Sequence, residues 1–150
     1  MQSLPPGVGG KTFAVRQTRP YDCAKSTTVM PGALSFSFPK TRRLTRTSEF
    51  DCVKERGHFE RGKFMMLGAL AVQNSGASRV GFLTSRRLGG AVVRNRVRRR
   101  LREIVRKHQH DLREDFWIVL IARRYATKVS YLALEDEWLR LAKRASILAL

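Results

Sequence analysis

The chain has 150 residues, 43% of them hydrophobic, and a formal net charge of +18, from 30 Lys and Arg against 12 Asp and Glu. That composition leaves room for one domain with a real core, argues against wholesale disorder, and carries far more positive charge than solubility requires, which is the footprint of a nucleic-acid partner with an acidic membrane surface as the competitor. No apolar run approaches the roughly 20 residues needed to span a bilayer and the N-terminus lacks a signal peptide's apolar stretch, so a soluble, cytoplasmic protein is expected.

All five prolines lie in the first 39 residues together with Gly7, Gly9, Gly10 and Gly32, and no period of 2 or 3.6 is sustained there. Residues 1–38 are therefore expected to form a disordered extension, and residues 39–150 the domain. The extension is basic, with Asp22 as its one acid, but its Pro and Gly content opposes the amphipathic helix of a transit peptide. Met30 offers an alternative translation start just upstream of the domain. Cys23 and Cys52 are far apart and fall in no CxxC pattern, so neither a disulfide framework nor a metal site is suggested.

In the domain, Ser48 followed by Asp51 resembles a capping box, Phe50 and Val53 share a face, and Gly57 can stop a short first helix. Residues 58–60 can add a short strand. Two apolar, strand-like runs, 63–73 and 79–86, are separated by Asn, Gly and Ser residues with turn conformations, and the expectation is an antiparallel hairpin. Gly89 and Gly90 then break the chain. From Ala91 the period becomes helical, with Val93, Val97, Leu101, Ile104 and Val105 on one stripe. Opposite that stripe gather Asn95, Arg98, Arg99, Arg102 and Arg106, flanked by Arg94, Arg96 and Arg100.

Residues 86–107, beginning with Arg86 and Arg87, hold nine arginines and one lysine against the single acid Glu103. Arginine's planar fork matches phosphate bidentately and stacks on bases, so this density points to RNA. The run 115–123 is too uniformly apolar for a half-exposed strand and reads as a central one. Ser130 can cap a last helix with a stripe of Leu134, Trp138, Leu141, Ala145 and Leu148, acids early and bases late as the helix dipole prefers.

His108 and His110 lack a third ligand nearby, and the acid clusters Asp111, Glu114, Asp115 and Glu135, Asp136, Glu137 read as helix ends or exposed helical turns. GxSxG, GxxxxGK[ST] and GxGxxG are all missing. The expectation is no catalytic and no metal-ligating residue, with any associated chemistry using another molecule's groups.

The ordered set Ser85, Arg86, Arg87, Gly89, Ala91, Val92, Arg94, Asn95, Arg96, Val97, Arg98, Arg99, Leu101, Arg102 and Glu103 resembles the signature of the bacterial ribonuclease P protein subunit. The likeness extends from residue 38 to about residue 146. It implies an α+β fold, an αβββαβα two-layer sandwich whose four-stranded mixed sheet contains a left-handed βαβ crossover, an exception to the usual hand. It implies a subunit of an endoribonuclease that releases the 5′ leader of precursor tRNA, with Mg²⁺-dependent hydrolysis supplied by the RNA and Mg²⁺ bound mainly through RNA. The implied partners are ribonuclease P RNA and precursor tRNA, with no membrane and no obligate protein partner. Carried onto this chain, Arg94, Asn95, Arg96, Arg98, Arg99 and Arg102 would contact RNA, and Phe50, Lys54, Phe64 and Leu67 would line a cleft for the single-stranded leader. Lys54 and Leu67 stand where the family often has aromatics, which weakens stacking here while Lys54 adds charge attraction. A ribosomal or assembly protein and a DNA-binding regulator are the competing readings. The first leaves the ordered Arg-Asn-Arg element unexplained; the second lacks a helix-turn-helix partner and a dimerisation segment.

Overall fold

The structure is a computed structural model and describes residues 38–149. Met30, Cys23 and the expected extension up to residue 37 lie outside the described residues. Phe38, expected in the extension, belongs to the packed domain: it is buried, with its ring edge-on to Phe82 at 6.2 Å between centroids.

In chain order the elements are α1 (Thr47–Arg56), β1 (His58–Arg61), β2 (Met65–Ala71), β3 (Arg79–Thr84), α2 (Ala91–Lys107), β4 (Phe116–Ala122) and α3 (Tyr131–Arg144). The sheet order is β1-β2-β4-β3; β4 pairs antiparallel with β2 and parallel with β3. The expected α+β arrangement and the central place of β4 are both present.

The expected hairpin is not. β2 and β3 are separated by β4, with Leu67 and Phe82 opposite Leu120 on its two sides. Two features favour this order. β4 is apolar at every position, so it gains most from a site covered on both faces. The turn between β2 and β3 also wraps the start of β4: Gly76 N–H donates to Asp115 Oδ1 at 2.8 Å, Asp115 N–H to the Gly76 carbonyl at 2.8 Å, and Trp117 Nε1 to Ser75 Oγ at 3.0 Å. Asn74 and Gly76 do take the positive φ the turn residues foretold, at 59° and 71°. They hold open a gap one strand wide rather than closing a hairpin.

Strand alternation divides the apolar side chains between two faces. Met65, Leu67, Ala69, Val80, Ile118, Leu120 and Ala122 pack against Val97, Leu101, Ile104 and Val105 of α2 and Leu134, Trp138 and Leu141 of α3. Each fully buried Leu or Ile there contributes roughly 1.5 to 3 kcal/mol, so this layer dominates the stability. On the other face α1 lays Val53 on Trp117 and Val119, leaving Phe50, Phe59, Leu70, Leu83 and Ile121 half-buried around them.

The helix ends depart from expectation in two places. The first turn of α1 is held by Glu49, whose carboxylate accepts from the N–H groups of Thr45 (3.0 Å) and Arg46 (3.1 Å), and not by the Ser48 and Asp51 pair. Burial pushes this carboxyl up, but those two N–H groups and Arg79 outweigh it and hold it below the usual value. Ser130 caps α3 as expected, accepting from Ala133 N–H at 3.3 Å. That helix stops at Arg144; Ser146 turns the chain at φ 55°, and Leu148 reaches the core by bridging to Leu112 instead of extending the helical stripe.

The sequence pattern makes Glu135 and Glu137 exposed acids, yet both are buried. They neighbour Leu134 and Trp138 on the helix and find strong donors. Glu135 accepts from Lys107 Nζ and His108 Nε2, each at 2.8 Å, tying α3 to the end of α2. The Lys107 hydrogen bond first, and then His108, holds its carboxyl below the ordinary 4.5. The folded state therefore binds this proton less readily than the unfolded one, so the stabilisation is full above the unfolded value and is lost as pH falls through the folded one. Glu135→Gln should accordingly flatten the loss of stability below about pH 5, measured by urea denaturation at several pH values. A variant that follows the parent's pH dependence would show that the pair contributes nothing.

Candidate nucleic-acid interface

The arginine helix is positioned by glycine. Gly89 has φ 128°, a conformation side chains rarely adopt, and Gly90 supplies the carbonyl that accepts the Arg94 N–H at 3.1 Å. Ahead of them Arg86 and Arg87 are exposed on a short 3-10 turn anchored by buried Leu88. With Val97, Leu101, Ile104 and Val105 buried, α2 turns its polar face outward as its sequence period requires.

The arginines divide into distinct environments. Asn95, Arg96 and Arg99 are exposed, while Arg94, Arg98 and Arg102 are half-buried, their stems lying along the protein surface. Arg98 Nη2 donates to Thr84 Oγ1 at 2.8 Å. Arg100 Nη1 donates to the Val129 carbonyl at 3.1 Å and so serves the fold. Among the described residues, no carboxylate forms an ion pair with Arg94, Arg96, Arg98, Arg99 or Arg102. The Nε atoms of Arg94, Arg98 and Arg102 are shielded and have no acceptor among the described residues. Burial first, then the charges of Arg43, Arg98 and Arg99, hold the Arg102 guanidinium below its ordinary value.

The four residues assigned to a leader cleft do not come together. Phe50 lies on the α1 face, with its ring so close over Gly81 that a Cβ there would approach it to 2.3 Å. Lys54 is exposed one turn later, 3.7 Å from Asp51. Leu67 is 0% exposed in the α2 and α3 core, on the opposite face of the sheet, and Phe64 packs at the edge of that same core. Strand parity explains the misplacement: Leu67 shares its face with Met65 and Ala69, whereas Gly68 and Leu70 look toward α1. The half-buried apolar residues on the α1 face instead include Phe50, Phe59, Leu70, Leu83 and Ile121, with the Arg79 guanidinium 5.8 Å over the Trp117 ring and 2.6 Å from Glu49.

A mixed sheet with one arginine-bearing crossover helix defines a small, strongly basic α+β domain. The family model described as Ribonuclease P matches residues 38–146. The chain is 34% identical over 111 residues to the ribonuclease P protein component of Syntrophomonas wolfei, covering 73% of this chain and 92% of that protein. It is 37% identical over 109 residues to that of Symbiobacterium thermophilum, covering 73% and 95%. The solved structure of the Staphylococcus aureus RNase P protein superposes with a TM-score of 0.67 at 23% identity, over 72% of this chain and 98% of that one. The chain belongs to the bacterial ribonuclease P protein family, whose members are protein components of a tRNA-processing ribonucleoprotein. No helix among the described residues is long and apolar enough to cross a membrane.

Proposed function

We propose that the chain binds the RNA of ribonuclease P through the outer face of α2 and guides the single-stranded 5′ leader of precursor tRNA across the α1 face. The observation that carries this is the set of guanidiniums on α2 that have no carboxylate partner among the described residues. Arg94, Arg98 and Arg102 stand at i, i+4 spacing, where like charges destabilise a helix unless a partner neutralises them. Phosphates neutralise them, releasing counterions and making the affinity salt-dependent.

On the α1 face Phe50, Phe59, Leu83 and Ile121 offer half-exposed apolar surface on which bases can lie, and a base stacked on an aromatic ring contributes roughly 1 to 3 kcal/mol. Lys54 and Arg79 add charge beside them. Among the described residues no three His, Cys, Asp or Glu side chains gather to hold a metal ion, and a cationic face does not suit Mg²⁺. In this reading Mg²⁺ is held by RNA oxygens and the polypeptide supplies binding and orientation.

The test is cleavage of a 5′-extended precursor tRNA at low Mg²⁺ by a bacterial ribonuclease P RNA, with and without the protein. Stimulated cleavage at the mature 5′ end is expected. Tight RNA binding without stimulation would instead indicate a purely structural RNA-binding role.

A further inference from the structure

Phe59, outside the four residues expected to line the cleft, reaches from the edge strand β1 across to its neighbour. It is paired in register with Gly68 of β2, and its ring leans over that glycine: a Cβ there would stand 2.6, 2.8 and 3.1 Å from the Cε1, Cζ and Cδ1 atoms. The arrangement recurs two strands away. Gly68 and Gly81 both partner Val119, one on each side of β4, and the Cε1 and Cζ atoms of Phe50 lie over Gly81.

Glycine weakens a strand, and inside one it marks a close approach. Here two buried glycines stand in one row of the sheet, Phe59-Gly68-Val119-Gly81, each beneath an aromatic ring. Stability alone would favour β-branched residues in both places. Between the rings Val119 is 0% exposed, covered by Val53 of α1, while both rings are half-buried. Neighbouring strands are about 4.8 Å apart, so glycines two strands apart hold the ring tips roughly 9 to 10 Å from each other. The next row on the same face, Met66, Ile121 and Leu83, is also half-buried, and it ends at exposed Arg61, which has no hydrogen bond or ion pair among the described residues. An apolar floor with a cation at its end suits bases joined by phosphates.

We propose that Phe59 and Phe50 are two separate stacking platforms for the single-stranded leader, set in place by Gly68 and Gly81, and that they take two bases that are not stacked on each other. The inference rests on the leader-binding reading above and deepens it. Successive nucleotides of a stacked strand are roughly 3.4 Å apart along the strand, well short of the gap between the rings. Val53 closes the space between them, so a strand that engages both rings must unstack.

The test uses the holoenzyme assembled from the full chain and a bacterial ribonuclease P RNA. It compares affinity for a precursor tRNA with a single-stranded leader against affinity for the same tRNA without one. Phe59→Leu keeps an apolar side chain over Gly68 but no ring, and should cut the preference for the leader-bearing form about tenfold, the loss of one base stack. Phe59→Tyr keeps the ring and should keep the preference. Gly68→Ala keeps the ring but displaces it, and should lose the preference as Phe59→Leu does. Abasic sites placed along the leader locate the platforms: the parent should be sensitive at two positions, Phe59→Leu at one of them and Phe50→Leu at the other. A Phe59→Leu protein that is less stable yet keeps the parental preference would make the ring a mere cover for the glycine and overturn the proposal. Loss of sensitivity at the same leader position in both Leu variants would do so too, since the rings would then share one base. A parent holoenzyme that binds both tRNA forms equally overturns the leader-binding reading itself, which is seen before any variant is compared.

Discussion

Glu137→Ala is expected to remove about 3 kcal/mol of folding stability, the largest single loss foreseen for a polar residue in this domain. The carboxylate is 4% exposed and accepts the backbone N–H groups of Lys63 at 2.6 Å, Phe64 at 2.7 Å and Met65 at 3.0 Å. It therefore fixes the reversal between β1 and β2 from a helix more than seventy residues later in the chain. A hydrogen bond to a charged acceptor contributes about 1.5 to 3 kcal/mol, but the three are not additive, because water reaches exposed Lys63 and half-buried Phe64 once the carboxylate is gone. Met65 N–H has no such relief. Glu137→Gln keeps one acceptor oxygen and should fall between the two, while Asp136→Ala, exposed on the same helix, should stay within about 0.5 kcal/mol of the parent. Urea denaturation of the three variants at neutral pH checks the order. A Glu137→Ala protein as stable as the Asp136→Ala protein would mean that the reversal holds itself.

The elements of this fold are local and were legible. Gly57, Gly89 and Ser130 punctuate it, and the stripe from Val97 to Val105 survives intact as the buried face of α2. What failed to show was anything decided by residues distant in the chain. The turn chemistry at Asn74 and Gly76 is real, but whether it joins neighbouring strands or spans an intruding one depends on Asp115. In β2 and β4 both faces are covered by helices, so the alternation that would assign Leu67 to the α2 side and Leu70 to the α1 side is flattened into a continuous apolar run. The resemblance carries Leu67 to the cleft, and a run without alternation offers nothing that would return it to the α2 face. Arg43 sits among other basic residues before the first helix, with no period to mark it; only the bridge to Val80 brings it to β3. The buried acids left a fainter trace. Glu135 and Glu137 flank the Leu134 and Trp138 stripe, whereas Asp136 points away from it, so helical geometry alone could have separated them.

Replacing Arg94 and Arg96 together by Ala is expected to weaken assembly with ribonuclease P RNA about a hundredfold at low salt, each lost phosphate contact being worth about tenfold. Cleavage at low Mg²⁺ should fall with it, and added Mg²⁺ should narrow the gap by screening the RNA against itself. Neither arginine belongs to the apolar stripe: Arg96 is exposed, and the side chain of half-buried Arg94 has no hydrogen-bond partner among the described residues, so its removal orphans none of their groups. Ala also favours a helix at least as well as Arg does, which keeps α2 intact. The unfolding curve should therefore be unchanged. Arg100→Ala, one turn further along, should do the reverse, because its guanidinium holds the Val129 carbonyl ahead of α3 and is expected to serve stability rather than RNA. The comparison separates charge that faces a partner from charge that holds the fold. Equal cleavage by the Arg94 and Arg96 variant and the parent across a full Mg²⁺ titration would remove both residues from the interface and shift it toward Arg98, Arg99 and Arg102.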